Sequence, residues 1–389
     1  MASLFPEPLS HPKGIERLAR EADTLLEKRQ VEYFSLEVRS VLNRCVSPRM
    51  PFIWTINPYR GCEFGCRYCY ARYTHEFMGL NRWEEFEEKI YVKRDAARIL
   101  ARELTPERLN GQSIALGTAT DPYQPAERRY GVTRSLLAVM ALARDLRLSI
   151  TTKSDLVTRD IDLLRRIADR GSVQVSITVT TLDRRLARVL EFRAPTPERR
   201  LKALRALGEA GIPAGVTISP ILPDITDRRE NLESVIAAAR EHGASHVFAN
   251  VLFLKPSARQ AFFPFLERHF PHLRKRYAAL FSHSAFLNRG YKEKVFRMVA
   301  ELKQKHAFSD ESESDIPATL HESEAAQLPL LQIESETSSI PCIGDPADPG
   351  PRGRRLGAPP RPMPNLESRG TNRGRRTLNF EHRTVKPCS

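Results

Sequence analysis

Long apolar runs are missing. None approaches the roughly 18 residues that crossing a bilayer takes, and the first residues hold no signal-peptide core, so a cytoplasmic protein with no membrane partner is expected. Cysteine is scarce, six in 389 residues, and none falls between Cys69 and Cys342. That gap excludes a disulfide framework spread through the fold. No Ser-His-Asp or paired-carboxylate constellation stands out, and no side chain is assigned to acid-base or nucleophilic catalysis.

What cysteine there is lies crowded. Asn57-Pro58-Tyr59-Arg60-Gly61-Cys62-Glu63-Phe64-Gly65-Cys66-Arg67-Tyr68-Cys69-Tyr70 places three of the six cysteines within eight residues, spaced C-x3-C-x2-C. Clustered thiols in an intracellular chain point to a metal. A thiolate triad on a short loop suits one face of a four-iron cluster and leaves one iron open, and an open position is what a catalytic site keeps. Two other uses stay open on spacing alone: a zinc knuckle with His75 as fourth ligand, or a disulfide between two of the three. Cys45 stands alone and is assigned nothing.

Charge is as uneven as cysteine. The chain carries a formal +14, yet residues 309–389 net −2, which leaves +16 on the rest. A body of that sign attracts a phosphate backbone without specificity, or simply has solvated basic helix faces. From about Phe308 an acidic Ser/Glu stretch passes into Pro, Gly and Arg, the composition of a disordered tail at 308–389. Cys342 and Cys388 fall in that tail and are not expected to ligate a metal.

Before it, one unit repeats. After an appendage at 1–47, with a helix expected over Ile15 to Lys28 and a strand over Phe34 to Leu42, six β-rich runs alternate with helical spacing. They begin at Phe52, Ser113, Leu148, Val173, Ala214 and His246. Intervening helices are predicted at Asp95 to Glu103, at Arg134 to Leu146, from Ile161 with Asp160 as N-cap, from Thr196-Pro197 to before Gly211, and after a capping box at Asp227-Arg228-Arg229-Glu230. Such alternation gives a parallel α/β sheet, either an incomplete barrel or a doubly wound sheet. In both, ligands bind at the carboxyl ends of the strands. Beyond Leu254, Phe262, Phe263, Phe265, Phe270, Tyr277 and Phe281 among arginines read as a helical cover closing the core at 48–300, with base stacking as the other use. Glu191 and Arg193, after the fourth run, are marked as cofactor or substrate contacts or, more simply, a surface salt bridge.

At the cysteine loop the chain resembles the radical S-adenosylmethionine (SAM) superfamily. Asn57 to Cys62, Gly117-Thr118-Ala119-Thr120-Asp121-Pro122-Tyr123-Gln124 and Thr152-Lys153-Ser154 together are similar to its spore photoproduct lyase-related, DNA repair photolyase-like subgroup over about residues 38 to 300. The resemblance implies a partial (β/α)6 barrel of the TIM-like type and a [4Fe-4S] cluster on Cys62, Cys66 and Cys69. The amino and carboxylate groups of SAM would chelate the unique iron, and SAM would be cleaved to a 5'-deoxyadenosyl radical. It implies Tyr68 beside the adenine, Lys153 and Ser176 at the SAM carboxylate with Thr178 close by, and Gly117, Thr118 and Asp121 near the SAM amino group. A flavodoxin or ferredoxin would supply electrons. Two departures limit it: Gly117-Thr118-Ala119-Thr120 replaces the usual glycine-glycine-acid element, and the hydrogen-donor cysteine of true spore photoproduct lyases has no counterpart. The expected substrate is a nucleic acid or nucleobase; a protein or small metabolite is the alternative, and a non-catalytic zinc-containing nucleic-acid binder a third reading.

Overall fold

Six strand segments lie side by side in the order in which the chain makes them. The computed structural model describes residues 14–20, 24–28, 31–47, 50–105 and 111–308. Its strands are β1 (Thr24–Lys28), β2 (Val31–Ser35), β3 (Asn43–Arg44), β4 (Trp54–Ile56), β5 (Tyr59–Arg60), β6 (Lys89–Val92), β7 (Ser113–Leu116), β8 (Arg147–Thr152), β9 (Ser172–Thr178), β10 (Ala214–Ile221) and β11 (Val247–Val251). The larger sheet runs β3-β4-β7-β8-β9-β10-β11. Every pair from β4 to β11 is parallel, and only β3 is antiparallel to its neighbour. A doubly wound sheet reverses its strand order at a switch point. Here the order never reverses, so the winding is that of a partial (β/α)6 barrel.

The two faces of this sheet differ in chemistry. Leu148, Ile150, Val173, Val175, Ile177, Val216 and Ile218 are buried in one core with Leu136, Leu163, Leu204 and Leu232. Those leucines come from the helices Val132–Met140, Ile161–Ala168, Pro197–Glu209 and Arg229–Glu241. Each such side chain removed from water contributes about 1.5–3 kcal/mol. On the other face, Ser149 lies opposite Gln174 and Thr151 opposite Ser176, all four half-buried or exposed. A closed barrel fills that face with branched aliphatics. A polar, solvent-facing one leaves room for a ligand.

A second sheet, ordered β1-β2-β6-β5, was not legible in the sequence. It recruits residues expected to be helical: the first helix is Gly14–Arg20 only, and Thr24–Lys28 pairs with β2. Over so few residues the apolar spacing fits either period, and strand pairing decides. The strand expected over Phe34 to Leu42 ends at Ser35, because the Val41 and Leu42 N–H groups donate to the Glu103 carboxylate at 3.0 and 3.1 Å instead of to a neighbouring strand.

Two expected capping bonds are absent. Asp160 stands at the N-cap of Ile161–Ala168 as expected, but its carboxylate takes Arg134 and Arg159, at 2.8 Å each, and bonds none of the helix amides. Asp227 accepts from the Tyr291 hydroxyl at 2.8 Å, and Arg228 stands at the N-cap of Arg229–Glu241. In both cases an ionic or phenolic partner from another element outcompetes the local amides. The helix predicted from Arg134 to Leu146 spans Val132–Met140.

The helical cover is as expected. Helices Pro256–His269, Arg274–Leu280 and Arg289–Lys305 follow β11, and Phe262, Phe265, Tyr277 and Phe281 are buried among them. The Tyr277 hydroxyl donates to the Pro223 carbonyl at 2.7 Å, fixing the cover to the end of β10. Among the described residues no helix is long and apolar enough to cross a membrane. The tail expected from 308, with Cys342 and Cys388, lies beyond Phe308 and outside the described residues.

Candidate metal centre

The cysteine loop begins where β4 ends, and the loop after β7 braces it. Asn57 Oδ1 accepts from the Ala119 N–H at 2.8 Å, and its Nδ2 donates to Thr118 Oγ1 at 3.2 Å. Thr120 Oγ1 and Gln124 Nε2 donate to the Gly61 carbonyl at 2.6 and 3.0 Å. Gln124 Oε1 accepts from the Glu63 N–H at 3.0 Å. The resemblance placed this segment by the cofactor; its side chains also hold the backbone that carries the thiols. Asn57, Thr120 and the wholly buried Gln124 were not among the residues expected at the site.

Gly61 sets the turn. Its φ is +82°, and a Cβ there would lie 2.7 Å from the Lys89 carbonyl oxygen and 2.9 Å from that of Phe86. Backbone cannot give way as a side-chain tip can. Gly61→Ala is therefore expected to cost about 1–2 kcal/mol for the left-handed conformation alone, with a displaced loop. Denaturant unfolding and iron retention after anaerobic reconstitution measure it; wild-type stability would show that the turn is not constrained.

Cys62 and Cys66 are buried and Cys69 half-buried. The Cys62 N–H donates to the Phe86 carbonyl at 2.9 Å, and Arg72 donates to the Cys66 carbonyl at 2.9 Å. Burial pushes all three thiols up, Cys66 to about 12 even with Lys153 opposing. Thiols so buried become thiolates when a cation replaces their protons. His75 does not join them. Its ring packs edge-on to Phe86 at 5.1 Å and its Nε2 meets the Lys89 carbonyl at 3.1 Å, and burial lowers its pKa to about 3. Among the described residues no three His, Cys, Asp or Glu groups are placed to hold a single metal ion. Three soft donors on one buried loop, with no histidine converging, fit an iron-sulfur cluster.

Lys153, at the end of β8, faces this loop. Its Nζ lies 5.8 Å from the centroid of the Tyr68 ring. Desolvation alone would lower its pKa, but Cys66 and Glu191 nearby raise it, so the ammonium stays charged. Glu191 is the larger correction. It forms no surface pair with Arg193: it is 1% exposed, paired with Arg200, itself 1% exposed. Glu191 also accepts from the Tyr68 hydroxyl. Arg200 completes its fork on the carbonyls of Pro195 at 2.8 Å and Thr178 at 3.0 Å. Tyr68 is thereby tied through two buried charges to the end of β9, and its hydroxyl is engaged by protein. Nothing in the spacing of Glu191 and Arg200 announced this, since their meeting depends on how Arg184–Leu190 and Pro197–Glu209 pack.

The other predicted positions divide. Asp121 accepts from Thr152 Oγ1 at 2.6 Å and from the N–H groups of Tyr123 and Lys153 at 2.9 and 2.8 Å, so its carboxylate staples the β7 loop to the end of β8. Burial raises its pKa against those bonds. Gly117 has φ +91°, and a Cβ would fall 2.4 Å from Pro122 Cδ, which explains glycine there by packing. The Thr118 carbonyl accepts from the Tyr70 hydroxyl. Thr178 is buried, its carbonyl on Arg200. Ser176 Oγ meets His246 Nε2 at 3.3 Å, deeper along the polar face than the strand end.

An aromatic line leaves the loop at Tyr70. Tyr70 lies 5.3 Å from Phe253, which stacks on Phe286 at 5.4 Å and 23°, with Lys292 Nζ 5.5 Å from the Phe286 centroid. Lys255 sits 4.0 Å from the centroid of Tyr73.

Residues 56–236 match the family model described as the radical SAM superfamily. An uncharacterized protein of Mycobacterium tuberculosis is 34% identical over 301 residues, covering 77% of this chain and 87% of that protein. An uncharacterized protein of Methanocaldococcus jannaschii is 29% identical over 242 residues, covering 62% of this chain and 85% of that protein. Among solved structures, spore photoproduct lyase complexed with dinucleoside spore photoproduct aligns at a TM-score of 0.51 and 16% identity, over 71% of this chain and 79% of that one. A mutant of that lyase with bound AdoMet and dinucleoside spore photoproduct aligns at 0.50 and 16%, over 71% and 82%. Likeness at this identity is one of fold, and the shared fold is the partial barrel. With the matched model, the related sequences and the braced thiol loop agreeing, the chain belongs to the radical SAM superfamily and is a radical SAM enzyme.

Proposed function

We propose that Cys62, Cys66 and Cys69 hold a [4Fe-4S] cluster whose fourth iron takes SAM, and that the enzyme acts on a nucleic acid or nucleobase. Cluster and SAM together supply reductive cleavage of the sulfonium and hydrogen abstraction from a C–H bond. The protein's part is placement. Lys153 offers a charged ammonium beside the thiols for the SAM carboxylate, Asp121 fixes the Lys153 backbone, and the Glu191–Arg200 pair holds Tyr68 still. No side chain need act as a base. The reducing cytoplasm, where thiols remain free, suits this chemistry.

The single observation that carries the substrate class is the line Tyr70, Phe253, Phe286, which runs from the residue after Cys69 toward the cover with a lysine over its far ring. Aromatics beside cations stack bases next to phosphates, and the +16 of residues 1–308 favours a polyanion. Spore photoproduct lyase, of like fold, was solved with a dinucleoside. Repair of a thymine lesion is not part of the proposal, since the donor cysteine lacks a counterpart.

The test is 5'-deoxyadenosine formation by reconstituted enzyme with dithionite, in the presence of single- and double-stranded DNA, RNA, peptides or cell metabolites. A nucleic acid should raise the yield above the uncoupled background. A rise with peptides or metabolites alone would transfer the proposal to those substrates. Phe253→Ala should weaken the productive nucleic acid about 5- to 150-fold, the value of one stacking contact, measured by fluorescence anisotropy.

A further inference from the structure

Beyond the end of β11 the chain turns into the helix Pro256–His269. Lys255 stands at its N-cap and Pro256 at the first helical position, and among the described residues no side chain caps it. The first amides of a helix have no intrahelical acceptor. Ser257 and Ala258 therefore keep their N–H donors at the open first turn, with the positive end of the helix dipole behind them. Water serves such ends in most proteins, so the amides alone indicate no ligand.

Ser257 sets this end apart. It is 5% exposed, yet among the described residues its hydroxyl has no hydrogen-bond partner. Buried polar groups are nearly always bonded, and one that is not calls for a partner from outside. As the second helical residue, Ser257 carries its hydroxyl in the same turn as the free amides. Lys255 adds a half-buried ammonium 4.0 Å from the Tyr73 centroid. Burial lowers its pKa with only Glu76 opposing, a cost that an anion beside it would offset. The place adjoins the aromatic line: Tyr70 and Tyr73, three residues apart in the 3₁₀ helix Tyr70–Met78, share one face, and meet Phe253 and Lys255 respectively.

We infer that the first turn of Pro256–His269, with the Ser257 hydroxyl and the Lys255 ammonium, is a seat for a phosphate group of the substrate, in a nucleotide or a single strand. A phosphate has acceptor oxygens enough for two amides, a hydroxyl and an ammonium together, and charge-assisted bonds of this kind are the strong ones. The seat lies beyond the carboxyl end of a parallel strand, the end at which the thiol loop also leaves the sheet. It deepens the nucleic-acid reading given above and rests on it: a base stacks on the aromatic line and its phosphate is taken one step further along.

The test titrates the full reconstituted chain calorimetrically with cytidine, cytidine 5'-monophosphate, an oligodeoxycytidine and inorganic phosphate. The monophosphate should bind at least tenfold more tightly than the nucleoside. Ser257→Ala and Lys255→Gln should each cut that advantage at least fivefold and leave nucleoside affinity within twofold. Lys255→Gln should also lower the slope of oligonucleotide affinity against salt by about one. The urea midpoint of Ser257→Ala should equal or exceed that of the wild type, because the hydroxyl removed has no partner in the free protein. Lys294→Gln, at an exposed position of helix Arg289–Lys305, should leave the advantage within twofold. A monophosphate no tighter than the nucleoside, or an advantage kept in Ser257→Ala, overturns the inference. Oligonucleotide binding unchanged in both variants overturns it with the nucleic-acid reading intact. Inorganic phosphate bound by the wild type and lost in both variants, with neither nucleoside nor oligonucleotide bound, would keep the seat and sink the nucleic-acid reading instead.

Discussion

Cys66→Ala is expected to yield a folded protein that retains no four-iron centre and forms 5'-deoxyadenosine only at background. Its backbone is held independently of the thiol, by Arg72 on the Cys66 carbonyl and by the Cys69 N–H at 3.2 Å on the same oxygen. Removing the sulfur thus deletes a donor and little else; an ordinary core truncation of this size costs roughly 1 kcal/mol. Two remaining thiols cannot grip a cubane that wants three protein sulfurs and one exchangeable corner. Cys62→Ala and Cys69→Ala should behave alike, while Cys45→Ala, buried but apart from the loop, should keep iron and sulfide at wild-type stoichiometry. Iron and acid-labile sulfide per chain, with the visible spectrum after anaerobic reconstitution, decide it. Full iron in any of the three loop variants, or stoichiometric zinc with no iron in the wild type, would contradict the assignment.

The second large effect falls on stability. Arg200→Met should destabilise the metal-free protein by roughly 3–5 kcal/mol, the cost of leaving one buried charge without its partner, on the order of 10 °C in melting temperature. Arg200 satisfies Glu191 and two main-chain carbonyls from a position shut away from water. Desolvation alone would raise the Glu191 pKa, but Arg200 and Lys153 outweigh it and hold the carboxyl below its usual range. Without Arg200 that charge faces Lys153 and the Tyr68 hydroxyl alone. The pair Glu191→Gln with Arg200→Met should recover much of the loss, because neither member then buries an uncompensated charge. Urea unfolding of the metal-free variants measures both; a single-variant loss under 1 kcal/mol would mean that the pair is not the anchor described.

Much of this protein was legible from its residues. Local pattern reports what is local: the six alternating runs became β4 and β7 to β11, Thr196-Pro197 opened its helix as expected, and the aromatics after Leu254 became a buried cover. The thiol loop was legible for the same reason, since three thiols within eight residues are carried by one loop whatever the rest of the chain does. Failures came where partners are remote. Asp160 and Asp227 looked like caps and serve cations or a phenol from other elements. Thr24–Lys28 carried helical spacing and became an edge strand. Glu191 looked like a surface ion-pair member and is shut inside with Arg200, nine residues on.

By itself, then, the sequence determined the strand periodicity and the thiol loop, because period, turn and ligand spacing act over a few residues. Tertiary structure alone decided the unreversed strand order, the polar open face, the exclusion of His75 from the thiols and the burial of Glu191 with Arg200. Those depend on which distant side chain reaches a buried charge or amide first, and on the free energy of leaving it unpaired, a competition that no local pattern records.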